Sequence, residues 1–464
     1  MSTGETTDVP ERPPGESGRS PGSAGRCRAL TLVWSAFASD RLGEVAYLQD
    51  HGPWSLGRDA VGRDALVFSP PPPHATRRRA LGARAVSRDQ LRIAAHDEGI
   101  LVENRGRAAM RVNGGAEVRA PVVVREGDVV EIENVLSLLY EPRALEAPHA
   151  TVPYPSKHAL GRADPCGIVG ESDRVQQLRA EMAMAAAASF HVLVQGETGS
   201  GKELVAEGIH ALSARARGPF VACNVSAIPH TLVASELFGH ERNYPNAGMP
   251  ERVGLLGTAE NGTLFLDEIG EVPADVHAML LRALDKRGEY HRLGSAVVRS
   301  ANVRFVAATN RALASLKSDF VPRFRIKIGV PALNDRRADV PLIARELVLQ
   351  LASDAPELAA RFVAGADVRF SQPLMTTLVR HSYTANVREL DELLWRSVSA
   401  SRGDELADIE KAPAAVRDAA TLAADEMRAL LDAHRWNASR AAASIAMHRS
   451  SFVRRMKQLG VERK

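Results

Sequence analysis

The stretch Gly196-Glu-Thr-Gly-Ser-Gly-Lys202-Glu203 constrains this chain more than any other part of it. An apolar run, His191–Val194, precedes it, and apolar residues at Val205, Ile209 and Leu212 follow. That pattern predicts a strand, a loop and a helix. Glycines in such a loop let backbone N–H groups approach an anion, and the helix N-terminus adds partial positive charge. Gly196, Glu197, Thr198, Gly199, Ser200, Gly201, Lys202 and Glu203 are therefore the expected phosphate cradle, with Lys202 reaching the β- and γ-phosphates. About 65 residues further on, Thr263-Leu-Phe-Leu-Asp267-Glu268 reads as a buried strand ending in two carboxylates. Asp267 is expected to hold Mg²⁺ through water, and Glu268 to polarise the attacking water. A glycine-rich turn or a strand-end acid pair can each arise by chance. In this order and context the two together point to ATP and Mg²⁺. Glu203 stands where a Ser or Thr magnesium ligand is usual.

The rest of the chain divides around this centre. A length of 464 residues predicts about three domains. Residues 1–27, rich in Pro, Gly, Ser and Glu, read as a disordered tail. Residues 28–144 have a β texture, with short runs at Leu30–Trp34, Gly99–Val102, Val122–Arg125 and Val129–Ile132. Asn113-Gly114 is a hairpin signal, because both residues accept positive φ. Residues 68–79 look like a loop inserted in this domain, and residues 145–166 read as a linker. Strands and helices alternate over 167–333, which predicts a parallel α/β sheet, and a helical lid is expected over 334–401. A second linker covers 402–421, and a helical segment covers 422–464. Cys27, Cys166 and Cys223 are far apart and form no CxxC pair, which excludes a disulfide scaffold or zinc knuckle and suits a reducing cytoplasm. No run is apolar enough over roughly 20 residues to span a bilayer.

Residues 167–395 resemble the AAA+ ATPase domain of bacterial enhancer-binding proteins, the activators that remodel sigma-54 RNA polymerase. The resemblance rests on IVGESDRVQQLR, VLVQGETGSGKELVAEGIHALSARARGPFVACN, SELFGHER, GTLFLDEIGEVPADVHAMLLRALD, VRFVAATNRAL and NVREL. It implies that the GKE ending of the loop is ordinary, so Glu203 does not count against ATP. It implies that Asn310 senses the γ-phosphate, that Asn224 is the switch that can hold Glu268, and that Arg388 is the second sensor on the lid. It also implies arginine fingers in a segment that here reads Leu316-Lys317-Ser-Asp319-Phe-Val-Pro-Arg323-Phe324. Arg323 keeps one finger. Lys317 keeps the charge of the other but loses the planar fork, which implies slowed hydrolysis.

One departure bears on the target. The family carries a GAFTGA loop that contacts sigma-54. The same positions here are Asn243, Tyr244, Pro245, Asn246, Ala247 and Gly248. Proline fixes φ and removes a donor, so the tip has another shape. Two readings are open: a loop that no longer engages sigma-54, or a changed contact in which Tyr244 supplies the aromatic.

The two ends resemble known modules as well. Residues 422–464 hold 9 Lys/Arg against 4 Asp/Glu. The segment IAMHRSSFVRRMKQLGV resembles a Fis-type helix-turn-helix, in which Arg449, Ser450, Arg454 and Lys457 would meet DNA. The plain alternative is a basic, solvated helix. Residues 28–144 resemble a forkhead-associated β-sandwich. Arg58 and Ser87 would grip phosphothreonine, with Arg88 adding charge. Gln90 replaces the usual His, and Ala108 the usual Asn, so a sandwich used only for packing stays open.

The expected fold is multidomain: an N-terminal β-sandwich, a central α/β AAA+ P-loop domain with a helical lid, and an all-α helix-turn-helix. The expected function is a cytoplasmic, ATP-dependent transcription regulator of the sigma-54 activator type, gated by a phosphopeptide. Its expected partners are DNA upstream of promoters, sigma-54 RNA polymerase, a threonine-phosphorylated protein, and itself in an oligomeric ring. The alternatives are a DNA-binding regulator that no longer engages sigma-54, and a phosphopeptide-binding scaffold without ATP turnover.

Overall fold

The structure is a computed structural model. It describes residues 25–407 except 50, 51, 61, 63, 75–78, 82, 149, 156, 157 and 286, together with residues 427, 428, 431, 436, 456, 459 and 461.

The N-terminal strands are β1 (Arg26–Ser35), β2 (Val45–Tyr47), β3 (Trp54–Leu56), β4 (Leu91–His96), β5 (Gly99–Asn104), β6 (Met110–Val112), β7 (Val122–Val124), β8 (Val129–Ile132) and β9 (Leu136–Ala144). They form two antiparallel sheets, ordered β2-β1-β9-β8-β6 and β3-β4-β5-β7. Leu30, Leu32, Leu56, Phe68, Leu91, Ile93, Ile100, Val102, Val130 and Leu138 meet between the sheets. The strand β1 begins at Arg26, four residues before the expected run Leu30–Trp34, so Arg26 and Cys27 of the expected disordered tail belong to the sheet. Arg26 and Cys27 pair with Ala144 and Arg143 of β9, and Arg26 reaches Asp173 at 3.2 Å. The Asn113-Gly114 turn has the expected positive φ values, 60° and 71°. It closes only a single antiparallel bridge, Arg111 to Glu117, because β6 takes β8 as its partner. The 68–79 insertion is pinned at its base, where Phe68 and Arg79 exchange two backbone hydrogen bonds of 3.0 and 2.9 Å.

The central elements are α1 (Asp173–Ala187), β10 (Val192–Gln195), α2 (Lys202–Ala211), β11 (Phe220–Asn224), α3 (Val233–Phe238), α4 (Gly254–Thr258), β12 (Thr263–Asp267), α5 (Ala274–Leu284), the short pair β13 (Glu289–Tyr290) and β14 (Arg299–Ser300), β15 (Arg304–Thr309) and β16 (Ile326–Gly329). The main sheet runs β11-β12-β15-β10-β16 and is parallel throughout. Alternate side chains bury on opposite faces. Val192, Val194, Phe265, Val306 and Ala308 pack with residues of α1 and α2. Leu193, Leu264, Leu266, Phe305 and Ala307 pack with residues of α3, α4 and α5. Burial on both faces is why these strands read as unbroken apolar runs.

The lid comprises α6 (Val340–Asp354), α7 (Pro356–Ala359), the pair β17 (Val363–Ala364) and β18 (Asp367–Val368), α8 (Gln372–Arg380) and α9 (Asn386–Ala400). It covers the outer face of the sandwich. Val33, Val129 and Leu139 bury with Phe370, Leu374, Met375 and Leu378. Trp34 Nε1 donates to the Phe370 carbonyl at 2.6 Å. Gln372 Nε2 donates to the carbonyls of Ile132 and Leu136, at 3.1 and 3.0 Å, and its Oε1 accepts from Asn134 N at 2.7 Å. This docking explains why β1 is buried on both faces instead of alternating, as an antiparallel strand with one solvated face would. Among the described residues no helix is long and apolar enough to cross a membrane.

Candidate functional site

The site lies at the carboxyl ends of the parallel strands, where crevices form in open α/β sheets. The loop from β10 to α2 turns through Gly199 and Gly201, at φ 74° and 103°. That left-handed conformation is one glycine adopts without steric penalty. Lys202 is buried, and its Nζ donates to the carbonyls of Gly196 and Glu197 at 3.1 and 3.3 Å. The same Nζ lies 3.9 Å from Glu268 Oε1. Glu268 follows β12 directly and holds φ 52°. A left-handed non-glycine residue is uncommon and marks a constrained position. Its N–H bonds to Asp267 Oδ1 at 2.9 Å, which fixes the two carboxylates relative to each other. One strand over, Asn224 sits in register with Asp267. Its side-chain oxygen accepts from Ser226 N and Oγ at 3.0 and 2.7 Å, so its recorded bonds are to Ser226 and not to Glu268.

Asn310 directly follows β15 and donates to Thr198 Oγ1 at 3.5 Å, the long limit of a hydrogen bond. A cleft beside the loop is lined by Gln195, Gly196, Glu197, Asn310, Val330 and Asp335. The lid closes the cradle from the other side. Asn386 Nδ2 donates to Glu197 Oε2 and to the Thr198 carbonyl, both at 3.0 Å, and Val387 N donates to the Gly199 carbonyl at 3.1 Å. Arg336 is buried and reaches the Ser200 carbonyl at 3.2 Å. A Cβ on Gly199 would meet the Ala385 carbonyl oxygen at 2.2 Å and Arg388 Cβ at 3.2 Å, so Arg388 sits beside the loop.

A donor set of backbone amides at a helix start, one lysine and two strand-end carboxylates fits Mg·ATP. Asn386 and Arg336 were not singled out in the sequence. Asn386 stands inside the quoted NVREL motif, whereas nothing in the text around Arg336 marks it. The expected fingers lie apart from this cradle. Arg323 pairs with Asp285 and lines a separate surface cleft with Arg282, Arg287 and His291. Lys317 lies near His277. Burial first, then the Lys317 charge, pushes that imidazole below its usual range.

The 243–248 loop projects into solvent, exposed along its length. Asn243 holds φ 67°, its N–H bonds to the Met249 carbonyl at 2.9 Å, and its Oδ1 accepts from Gly248 N at 2.8 Å. The Tyr244 ring leans on Gly294, where an added Cβ would lie 2.7 Å from Cδ2. Tyr244 and Met249 here, and Val297 and Val298 on the loop that carries Gly294, are each exposed.

At the tip of the sandwich, Arg58 N donates to the Ser87 carbonyl at 3.0 Å, which brings the two expected phosphate-gripping residues together. Both cations already face acid: Arg58 and Arg88 lie 3.8 and 3.3 Å from Asp59. Ser87 Oγ accepts from Arg107 N at 3.1 Å. Gln90 is fully buried and structural. It bonds Ser87 N at 3.2 Å and Asn104 Oδ1 at 2.8 Å, bridging the two loops. The expected DNA-contacting residues Arg449, Ser450, Arg454 and Lys457 lie outside the described residues.

Residues 168–326 match the family described as the Sigma-54 interaction domain. The Nif-specific regulatory protein of Bradyrhizobium diazoefficiens is 37% identical over 247 residues, covering 52% of this chain and 41% of that protein. The transcriptional regulatory protein ZraR of Escherichia coli K12 is 38% identical over 251 residues, covering 53% and 55%. A crystal structure of NtrX from Brucella abortus in complex with ADP is 30% identical, covers 64% of this chain and 70% of that chain, and has a TM-score of 0.48. The chain spans about half the length of the curated relatives it matches. Its central segment, residues 168–326, is similar to the Sigma-54 interaction domain.

Proposed function

We propose that a chain built around a sigma-54 interaction domain works as an ATP-driven transcription regulator of the sigma-54 activator type. The observation that carries this reading is the convergence of Lys202 and Glu268 at 3.9 Å, beneath a lid bonded to the phosphate loop. Bound Mg·ATP would supply the phosphoanhydride whose cleavage drives the cycle, with Asp267 holding the metal through water. Lys202 exchanges its two loop carbonyls for phosphate oxygens. Glu268 orients and deprotonates water, Asn310 senses the terminal phosphate, and Asn224 can take up Glu268 when it turns from Ser226. Arg388 reads the nucleotide from the lid. Arg323 and Lys317 lie away from their own cradle, which suits fingers donated to a neighbouring copy in a ring. The test is ATP turnover by the purified chain, with Glu268→Gln as the silent reference. A wild type no faster than that variant at high protein concentration overturns the reading.

The ends extend this reading. The C-terminal segment ties the ring to DNA upstream of promoters through Arg449, Ser450, Arg454 and Lys457, in the cytoplasm. Removal of residues 422–464 tests it by abolishing sequence-selective binding. The sandwich takes up a threonine-phosphorylated partner at Arg58, Ser87 and Arg88 and passes the event to the lid it packs on. Asp59 competes with a phosphate for both arginines, so affinity is weak. A phosphopeptide library with no enrichment over plain peptides favours a sandwich that serves only to hold the lid.

A further inference from the structure

His74, His158 and Glu171 come from three separate segments: the 68–79 insertion of the sandwich, the 145–166 linker, and the loop before α1. Their ligand atoms all lie within 4.8 Å of one another. His74 Nε2 is 2.9 Å from Glu171 Oε2, and His158 Nε2 is 3.4 Å from Glu171 Oε1. Tetrahedral zinc with bonds of about 2.1 Å needs ligand atoms about 3.4 Å apart. The side chains of His158 and Glu171 are each only 2% exposed. Both ring nitrogens of His158 are shut away from solvent; Nδ1 has no hydrogen-bond partner, and Nε2 reaches only Glu171. A buried imidazole this poorly partnered is costly unless something takes up its lone pair.

We propose that these three residues form a zinc site that clips the sandwich, the linker and the ATPase domain together. Two imidazoles and a carboxylate are a known zinc donor set, leaving a fourth position for water. The carboxylate is held by second partners, as metal-ligating carboxylates are. Gly161 N donates to Oε1 at 2.9 Å, and Gln176 Nε2 to Oε2 at 3.0 Å. Each oxygen keeps a lone pair for the metal. Among the described residues Arg179 is a positive charge close to the site, its Nη1 3.9 Å from Glu171 Oε2. Its Nε is paired with Asp164 at 2.8 Å, which offsets the repulsion it offers a cation.

The full chain, stripped with chelator and freed of nucleotide, is titrated with zinc chloride, and metal content is measured after gel filtration. One equivalent per chain is expected. Cobalt substitution should give the visible absorption of a four- or five-coordinate nitrogen and oxygen site. His74→Ala, His158→Ala and Glu171→Gln, checked for folding by circular dichroism, should each weaken zinc at least tenfold. Asp267→Ala, at the nucleotide site, should leave it unchanged. A wild type that retains no stoichiometric zinc overturns the proposal. So does zinc that survives His158→Ala and vanishes with Asp267→Ala.

Discussion

Asn386, the first residue of α9, donates its side-chain amide to Glu197 of the phosphate loop at 3.0 Å. It also accepts from Leu333 N at 2.7 Å, so one buried side chain joins the loop, the segment after β16 and the lid. The residue holds φ 55°, which asparagine tolerates better than other side chains. Lid position and cradle shape are therefore one variable and not two.

Asn386→Ala should lower both stability and nucleotide affinity. The Leu333 amide loses its acceptor, at a cost of about 1–3 kcal/mol. Thermal melts and titration with a fluorescent ATP analogue measure the two effects. Asn386→Gly separates them from backbone strain, since glycine accepts this φ freely. A Gly variant that binds nucleotide as wild type does would show that the side-chain bonds carry nothing.

Glu268→Gln should keep ATP affinity within a few-fold and reduce turnover at least a hundredfold. In the proposed mechanism binding uses the loop and Lys202, while the carboxylate acts on the attacking water. Equal loss of binding and turnover would mean that Glu268 serves the fold, through the constrained turn it occupies.

The pH dependence should show His191. Burial pushes this imidazole down to about 4. Its Nδ1 accepts from Phe305 N at 3.1 Å, so protonation must break a strand contact. Between about pH 4 and the ordinary 6.5, the unfolded chain binds the more protons, and stability rises with pH. The contribution, up to about 3 kcal/mol, is present above pH 6.5 and lost as pH falls to 4. Urea melts of His191→Gln across this range should show a shallower slope than wild type. An identical slope would assign the acid sensitivity to other groups.

Local periodicity and loop chemistry made much of this legible. The run Thr263–Glu268 matches β12 except for Glu268, which turns left-handed just past the strand, because a strand buried on both faces leaves an unbroken apolar signature. The cradle was readable for the same reason, since glycines and a lysine at fixed spacing need one backbone path. Partners distant in sequence were not readable. Gln372 spans more than 230 residues to reach Ile132 and Leu136, and nothing local marks it. Arg336 and the His74, His158 and Glu171 cluster are likewise products of domain docking, which periodicity does not encode. Gln90 departs from the usual His, and its burial and its bonds to Ser87 and Asn104 give it a structural role.

Gln372→Ala should loosen the sandwich from the lid. It strips an acceptor from Asn134 N and donors from two carbonyls, an effect of about 1–3 kcal/mol. Hydrogen exchange should speed up in β1, β9 and α8 and stay unchanged in β11 and β12. Uniform acceleration would instead indicate global destabilisation.

Under the proposed function, the 243–248 loop would decide which target the ATPase acts on. Its family text is gone, yet the surface has not turned polar. Tyr244 remains 37% exposed beside Gly294, and Val297 and Val298 of the adjoining loop are 62% and 56% exposed. Under the proposed function, this exposed aromatic is the candidate contact residue. Tyr244→Ala should leave melting temperature and ATP turnover unchanged, because the ring is half-exposed and far from the cradle residues. It should weaken engagement of a sigma-54 promoter complex by about 2 kcal/mol, a loss of roughly thirtyfold. Open-complex formation on a promoter found by DNA pull-down is the readout. A wild type that hydrolyses ATP but opens no complex, and gains that ability when GAFTGA is restored at 243–248, would show that the loop has abandoned sigma-54. A wild type that is active with a silent Tyr244→Ala would move the contact to Met249 or the valines.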